Sequence, residues 1–455
     1  MAQGITLPEQ SSRTPERAQS YPLLEALIHR RSRRFAAGMK LNGGPLAYES
    51  RRAPQPLVIE EEAALAFAAC GVTGCALAEL PYVTGNVPDA GGGNIMKQFV
   101  ARTAPSADAL HAVIVFVTND NGTWMLKRPQ DFSRGEISDL LQAAREHQLT
   151  ALYERSRVKI ADGRADVPRE LPYVPPFNKW SANVPGSTYF IPVNELTALY
   201  INILFSALSE DFNYFIVDER NGFRPAGIGR FAKSKGGRLH DDPRDGRFMT
   251  VGFLESWLFE LAAVEQGAVV QNLGLMDQAL GLGGFPHFAA HPFGWTQALG
   301  FRMEGPRLSR TIGAGLVMKT ALRLLNKDIP LPTAVGLERN SEVLIKPFCP
   351  PYYSSMKEAV MAFLESKFAP EKGCFRDGGH CTAWADGKLV QQGIPEYSST
   401  TIQAVIDYCE YVYSRYGRFP TACGPFRTVL AYQAHRLDPD FYAKFYKPEL
   451  AGCTS

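Results

Sequence analysis

Three segments hold side chains whose types and spacing suit recognition or redox chemistry. The first is His29-Arg30-Arg31-Ser32-Arg33-Arg34-Phe35, five basic-capable side chains around one hydroxyl in seven residues. A guanidinium offers a planar pair of donors that matches two phosphate oxygens, and serine adds a donor at short reach. The same run follows a helical pattern, where cations suit the negative end of the helix dipole, so capping is its plain structural alternative. The second segment is Arg102-Thr103-Ala104-Pro105-Ser106-Ala107, leading through His111 into an apolar run. Its proline and small residues let backbone approach a flat ligand, or simply make a loop ahead of a strand. The third runs from Glu265-Gln266-Gly267 through Met276 to Gly281-Leu282-Gly283-Gly284-Phe285. Glycines that close a helix cap it and expose backbone N–H groups. This is not a dinucleotide fingerprint, which opens a helix after a strand.

Elements must position these segments. Leu23, Leu24, Leu27 and Ile28 recur at helical spacing, so a helix beginning near Tyr21 delivers the basic run. A second helix is expected over Pro56–Ala69, with Glu60, Glu61 and Glu62 near its start and Gly71 and Gly74 after it. His111–Thr118 reads as a buried strand, Asn119–Gly122 as a turn and Thr123–Leu126 as a second strand. Helices are expected at Ile137–Arg155 and Val193–Leu208, and a strand at Tyr214–Val217. Asn221–Arg247, rich in Gly, Arg and Asp, reads as a surface excursion. Phe253–Leu280 is the longest helical pattern, of the kind that lies at the centre of a domain or a dimer. Beyond residue 305, Pro- and aromatic-rich patches alternate with helices near 355–367 and 399–415.

Composition narrows the function classes. Forty-eight basic and 46 acidic residues leave a formal charge of +2, which gives no global case for nucleic acid or a membrane, although a local basic patch is compatible with it. Gln278–Phe301 lacks formal charge but is broken by glycines, Pro286 and Pro292, and no stretch reads as a bilayer-crossing helix. The first 22 residues contain no signal-peptide core. Eight scattered cysteines without a C-x-x-C pair read as reduced thiols of a cytoplasmic protein. Cys374, His380 and Cys381 fit no standard zinc spacing. Tyr189, His287 and His291 are candidate acids or bases, each also suited to a structural role. His435 and Asp438 invite a catalytic reading, with surface pairing on a helix as the simpler account.

In their order, the three segments resemble the nitroreductase superfamily of FMN enzymes. Arg30 to Phe35 matches R-R-S-x-R-x-F one residue short, so Arg33 or Arg34 is the second arginine. The Arg102–His111 pattern is closer in style to the branch of thiazole-forming peptide dehydrogenases. Gly267–Gly283 is similar to the family's long interface helix. The resemblance spans roughly residues 20–300. It implies an α+β three-layer sandwich, a mixed or antiparallel sheet flanked by helices, with insertions at about 130–250. A tip (1–20), a flavin domain (21–305) and a mainly helical C-terminal extension (306–455) packing on it follow. The resemblance further implies FMN, held at a homodimer interface. Arg30, Arg31, Ser32 and Arg34 would meet its phosphate, ribityl chain and pyrimidine edge. Pro105, Ser106 and Ala107 would reach it from the other subunit, and Gly283 and Gly284 would offer backbone donors near the ring. The activity implied is hydride transfer with a small organic molecule or a modified peptide, NAD(P)H being a transient donor. Non-redox flavin storage or breakdown, and a degenerate flavin-fold interaction protein, are the alternatives. The late basic residue closing on the phosphate has no clear match; Arg302, Arg310 and Lys346 are candidates.

Overall fold

The computed structural model describes residues 14–79, 94–166, 169–210, 212–234, 248–288 and 291–447. The architecture is α+β, built on one antiparallel sheet. In chain order its main strands are β1 (Val113–Asn119), β2 (Gly122–Leu126), β3 (Arg157–Asp162), β4 (Thr188–Glu195), β5 (Gly283–Phe288) and β6 (Leu430–His435). In space they run β5-β6-β4-β1-β2-β3, and the short piece Phe426–Arg427 pairs with the end of β4.

Side-chain alternation along β1 and β4 gives the sheet two apolar faces, as burial on both sides requires. Val113, Val115, Val117 and Phe190 pack with Val269 and Leu273 of the long helix Val251–Leu280 and with Ala63 and Leu65 of the helix Ile59–Cys70. Ile114, Phe116, Tyr189 and Ile191 face the other way, onto Trp295 and Leu299. That second face is completed by Ala334 and Leu337 of a small sheet, Arg302–Glu304, Thr333–Arg339 and Glu342–Ile345. A second core joins the helices Thr197–Ala207, Met356–Phe368 and Ser399–Tyr416 to Leu254 and Leu258 of the long helix. The long helix thus belongs to both cores. Thr250 opens it by accepting from Phe253 N at 3.0 Å, and Gly281, at φ 72°, closes it.

Several expectations change. The stretch Ile137–Arg155 is two helices, Arg134–Arg145 and Leu149–Ser156, because His147 between them sits at φ 56°, in the left-handed region. The helix expected from Val193 starts at Thr197; Val193–Glu195 complete β4. Part of Asn221–Arg247 is core: Phe231 and Ala232, in the helix Gly229–Ser234, are buried, while 235–247 lie outside the described residues. At the N-terminus, Glu16–Ser20 is helical, and 1–13 lie outside the described residues. The region after 305 is not an appended layer. Its strand β6 lies between β5 and β4, so a boundary at 305 would cut the sheet. Among the described residues no helix is long and apolar enough to cross a membrane.

Candidate functional site

The basic segment leaves the helix Leu23–His29 and runs along the β5–β6 edge of the sheet. Arg31 is exposed and donates back to Ile28 O (3.0 Å) and Arg30 O (2.8 Å), so it caps its own helix. Ser32 is exposed. Arg30 lies along the long helix, where a Cβ on Gly274 would come within 3.4 Å of its Cδ. Arg33 is buried and donates to Gln278 near the end of the same helix. The Arg33 carbonyl accepts from His435 Nε2 at 3.0 Å, which places that histidine's proton on Nε2. The first and third sequence segments therefore meet, although some 250 residues separate them.

Gly283 and Gly284 occupy β5, opposite His435 and Ala434 of β6. A Cβ at Gly284 would collide with the Asp277 carboxylate and the Tyr432 hydroxyl, and one at Gly283 would collide with Leu437. These glycines admit the chain's own atoms rather than forming an open cradle. Asp277 is the polar centre of this contact. Tyr432 OH donates to its Oδ2 at 2.7 Å, and its Oδ1 has no partner among the described residues. Burial pushes its carboxyl well above the usual range, against the pull of Tyr432 and of the Arg33 charge.

Arg34 turns to the other side. Its Nη2 donates to Asn178 Oδ1 (2.8 Å), Ser181 Oγ (2.8 Å) and Phe177 O (3.0 Å). Its guanidinium lies 5.0 Å from the Trp180 ring centre and 4.8 Å from that of Phe285. Beyond Phe285, two of the three acid–base candidates meet. Tyr189 and His287 share a hydrogen bond, and Trp295 stacks on Tyr189 with centroids 5.6 Å apart. Burial lowers His287 to about 4 and raises Tyr189, so both are neutral at neutral pH. His291 packs instead on Phe293 and Tyr173. His291 Nδ1 and Trp295 Nε1 have no partner among the described residues.

The second segment is elsewhere. Pro105 is exposed and Ala107 half-buried. Ser106 Oγ donates to Glu265 Oε2 (2.9 Å) and accepts from His111 N (2.7 Å), so it anchors the chain ahead of β1. Glu265 stands twelve residues before Asp277 on the long helix, about 18 Å at the helical rise.

The pattern of residues gave no signal for Arg436, which directly follows β6. Its carbonyl accepts from Ala37 N (3.1 Å) and its guanidinium pairs with Glu61 (2.8 Å), beside the basic segment. The candidates for a late basic residue make contacts elsewhere: Arg302 with Glu304 and Glu338, Arg310 with the Tyr413 and Ser414 carbonyls, Lys346 over Tyr353. His435 and Asp438 are not a helix-surface pair. His435 is in a strand, and Asp438 caps the helix Pro439–Phe445 by accepting from Asp440 N and Phe441 N. Among the described residues no group of three or more His, Cys, Asp or Glu is placed to hold a metal ion.

No family model matches the sequence, and no curated protein matches it. A crystal structure of a provisionally assigned nitroreductase from Ralstonia eutropha JMP134 is similar at a TM-score of 0.28 and 14% identity, covering 66% of this chain and 81% of that one. A likeness at that level carries no argument about function.

Proposed function

We propose that this chain is a flavin-dependent oxidoreductase that holds FMN by Arg30, Arg31 and Ser32 at a site shared by two copies. One observation carries the reading. The basic segment meets the glycine-terminated end of the long helix, while Pro105-Ser106-Ala107 stands about 18 Å back along that helix. A second copy lying antiparallel along it would bring the two together.

The residues fit the phosphate end of the cofactor. Arg30 and Arg31 have no carboxylate partner among the described residues, and Ser32 is open to solvent. An exposed guanidinium bonded only to carbonyls keeps donors for an anion. Arg34 and Arg33 are already engaged, so they orient the segment and do not reach a ligand as they stand. The ring end fits less well, since the space at Gly283 and Gly284 is filled. Bound FMN would supply hydride transfer with a small organic molecule or a modified peptide, NAD(P)H serving as donor in the reductive direction. The chain would bind the phosphate, order the Arg34–Phe285 wall and hold a proton between the Tyr189 hydroxyl and His287 Nε2.

Support for two copies comes from exposed apolar side chains on the two helices involved. Leu23, Leu24, Leu27 and Ile28, on the helix that delivers the arginines, are each more than half exposed. Phe253, Trp257 and Val264 are exposed along the long helix. Apolar faces of this extent mark interaction sites.

The test is FMN retention. The purified protein should carry or take up FMN, and Arg30→Ala/Arg31→Ala should lower affinity tenfold or more with an unchanged melting temperature. Equal retention by the double variant sinks the site. Anaerobic addition of NADPH or NADH should bleach the flavin; a flavin left oxidised by both turns the reading toward storage.

A further inference from the structure

Residues 306–331 form a protruding hairpin, remote in sequence from the basic segment. Its base is closed by Leu308 N donating to Ile329 O and Leu331 N to Pro306 O, both at 2.9 Å. Asp328 braces it, accepting from Ser309 N (2.8 Å) and Ser309 Oγ (3.0 Å). Beyond the base stands the helix Leu316–Leu324, in which no residue is buried. Leu316, Val317 and Leu324 are 81%, 85% and 80% exposed, and Met318 and Leu325 are more than half exposed. Ile312 and Ile329 extend the apolar surface down to the base. No other part of the described chain covers these side chains.

The helix is two-sided. Val317, Ala321, Leu324 and Leu325 follow the three-and-four spacing of one face, and Lys319 and Arg323 fall on the other. Lys327 follows in the chain. Among Lys319, Arg323, Lys327 and Asp328 there is one carboxylate, and it is turned into the hairpin base. Its ion pair with Arg323 is 3.6 Å long, and neither Lys319 nor Lys327 has a carboxylate partner among the described residues.

We propose that this hairpin docks the protein on an anionic lipid surface. A helix with an aliphatic face and a Lys/Arg face lies in the headgroup boundary, its apolar side among the acyl chains and its cations beside the phosphates. A symmetric contact between two copies would set the same cations against each other. The proposal is independent of the flavin reading, and an overall charge of +2 is compatible with a local basic strip.

Co-sedimentation with vesicles tests it. The full chain should pellet with an equal mixture of phosphatidylcholine and phosphatidylglycerol, stay in solution with phosphatidylcholine alone, and be released by salt. Val317→Ser/Leu324→Ser/Leu325→Ser and Lys319→Glu/Arg323→Glu should each weaken binding tenfold or more. Because these side chains are exposed, both variants should melt with the wild type. The proposal is overturned if the wild type stays in solution with the mixed vesicles, if it binds both vesicle types alike, or if the serine variant binds undiminished. It is equally overturned if the serine variant turns a dimer into a monomer, since the strip then belongs to a second copy.

Discussion

Arg102 and Glu265 form an ion pair whose side chains are 1% and 4% exposed, and it fastens the chain ahead of β1 to the middle of the long helix. Glu265 also accepts from Val113 N at 3.0 Å and from Ser106 Oγ, and Arg102 donates to Val113 O at 2.9 Å. Every partner here belongs to the same few residues, so removing one leaves the others buried and unmatched.

Removal of one charge should therefore cost more than the pair itself contributes. Glu265→Leu should destabilise by about 3–5 kcal/mol, because Arg102 is left uncompensated in the core. Ser106→Ala should cost about 1–3 kcal/mol, from the unmet His111 N and the lost donor to Glu265. Pairing Arg102→Met with Glu265→Leu should recover much of the loss. Urea denaturation checks all three, and a double variant as unstable as Glu265→Leu alone would disprove the account.

Gly284 and Gly267 should behave oppositely. Gly284→Ala drives a Cβ into Asp277 and Tyr432 and should cost roughly 2 kcal/mol or more, since overpacking must displace a buried carboxylate. Gly267 is an exposed position inside the long helix, where an added methyl would meet nothing within 4 Å. Gly267→Ala should stabilise by about 0.5–1 kcal/mol through helix propensity. Thermal melts of the two variants decide this; a neutral Gly284→Ala would mean that the β5–β6 contact has room to spare.

Acid should weaken the fold through its buried histidines. Burial lowers His287 and His435 to about 4, and His111 to about 3. An unfolded histidine titrates near about 6.5. In the window between, the unfolded chain binds protons that the fold refuses. The stability these groups contribute is thus complete above about pH 6.5 and is lost on the way down to 4, each by at most about 1.4 kcal/mol per pH unit. The raised carboxyls of Glu62 and Asp277 act with the opposite sign, so the informative quantity is a difference. The stability gap between wild type and His287→Gln should be level above pH 7 and shrink below 6.5. A gap that does not change with pH would mean that His287 is not shielded.

Much of the fold is legible in the sequence where one period persists. The long helix, the helix Ile59–Cys70 and the hairpin of β1 and β2 all follow from patterns that their tertiary contacts reinforce. β6 is not legible. Leu-Ala-Tyr-Gln-Ala-His lacks the β-branched run that announces a strand, and it is extended because β5 and β4 flank it. The site divides in the same way. Arg31 and Ser32 can be picked out by residue type, but Asp277, Tyr432 and Arg436 acquire meaning only when β6 brings them to the basic segment. The glycines are visible, while the reason for them, the closeness of Asp277, is not.

The apolar face of the helix Leu23–His29 gives a prediction about assembly. Leu24→Ser/Leu27→Ser removes side chains that are 65% and 52% exposed, so the monomer should keep its melting behaviour. Under the shared-site reading the variant should sediment as a monomer and bind FMN at least tenfold less well. A variant that is still dimeric, with full affinity, would place the contact elsewhere.

The position of β6 also bears on how the polypeptide is made. Residues 430–435 supply the strand that joins β5 to the rest of the sheet. During synthesis, more than four hundred residues leave the ribosome before that strand does. Until then β4 and β5 each present an unpaired edge, and such edges invite pairing with other chains. Nascent or C-terminally shortened forms should accordingly depend on chaperones, however well the N-terminal helices have already formed.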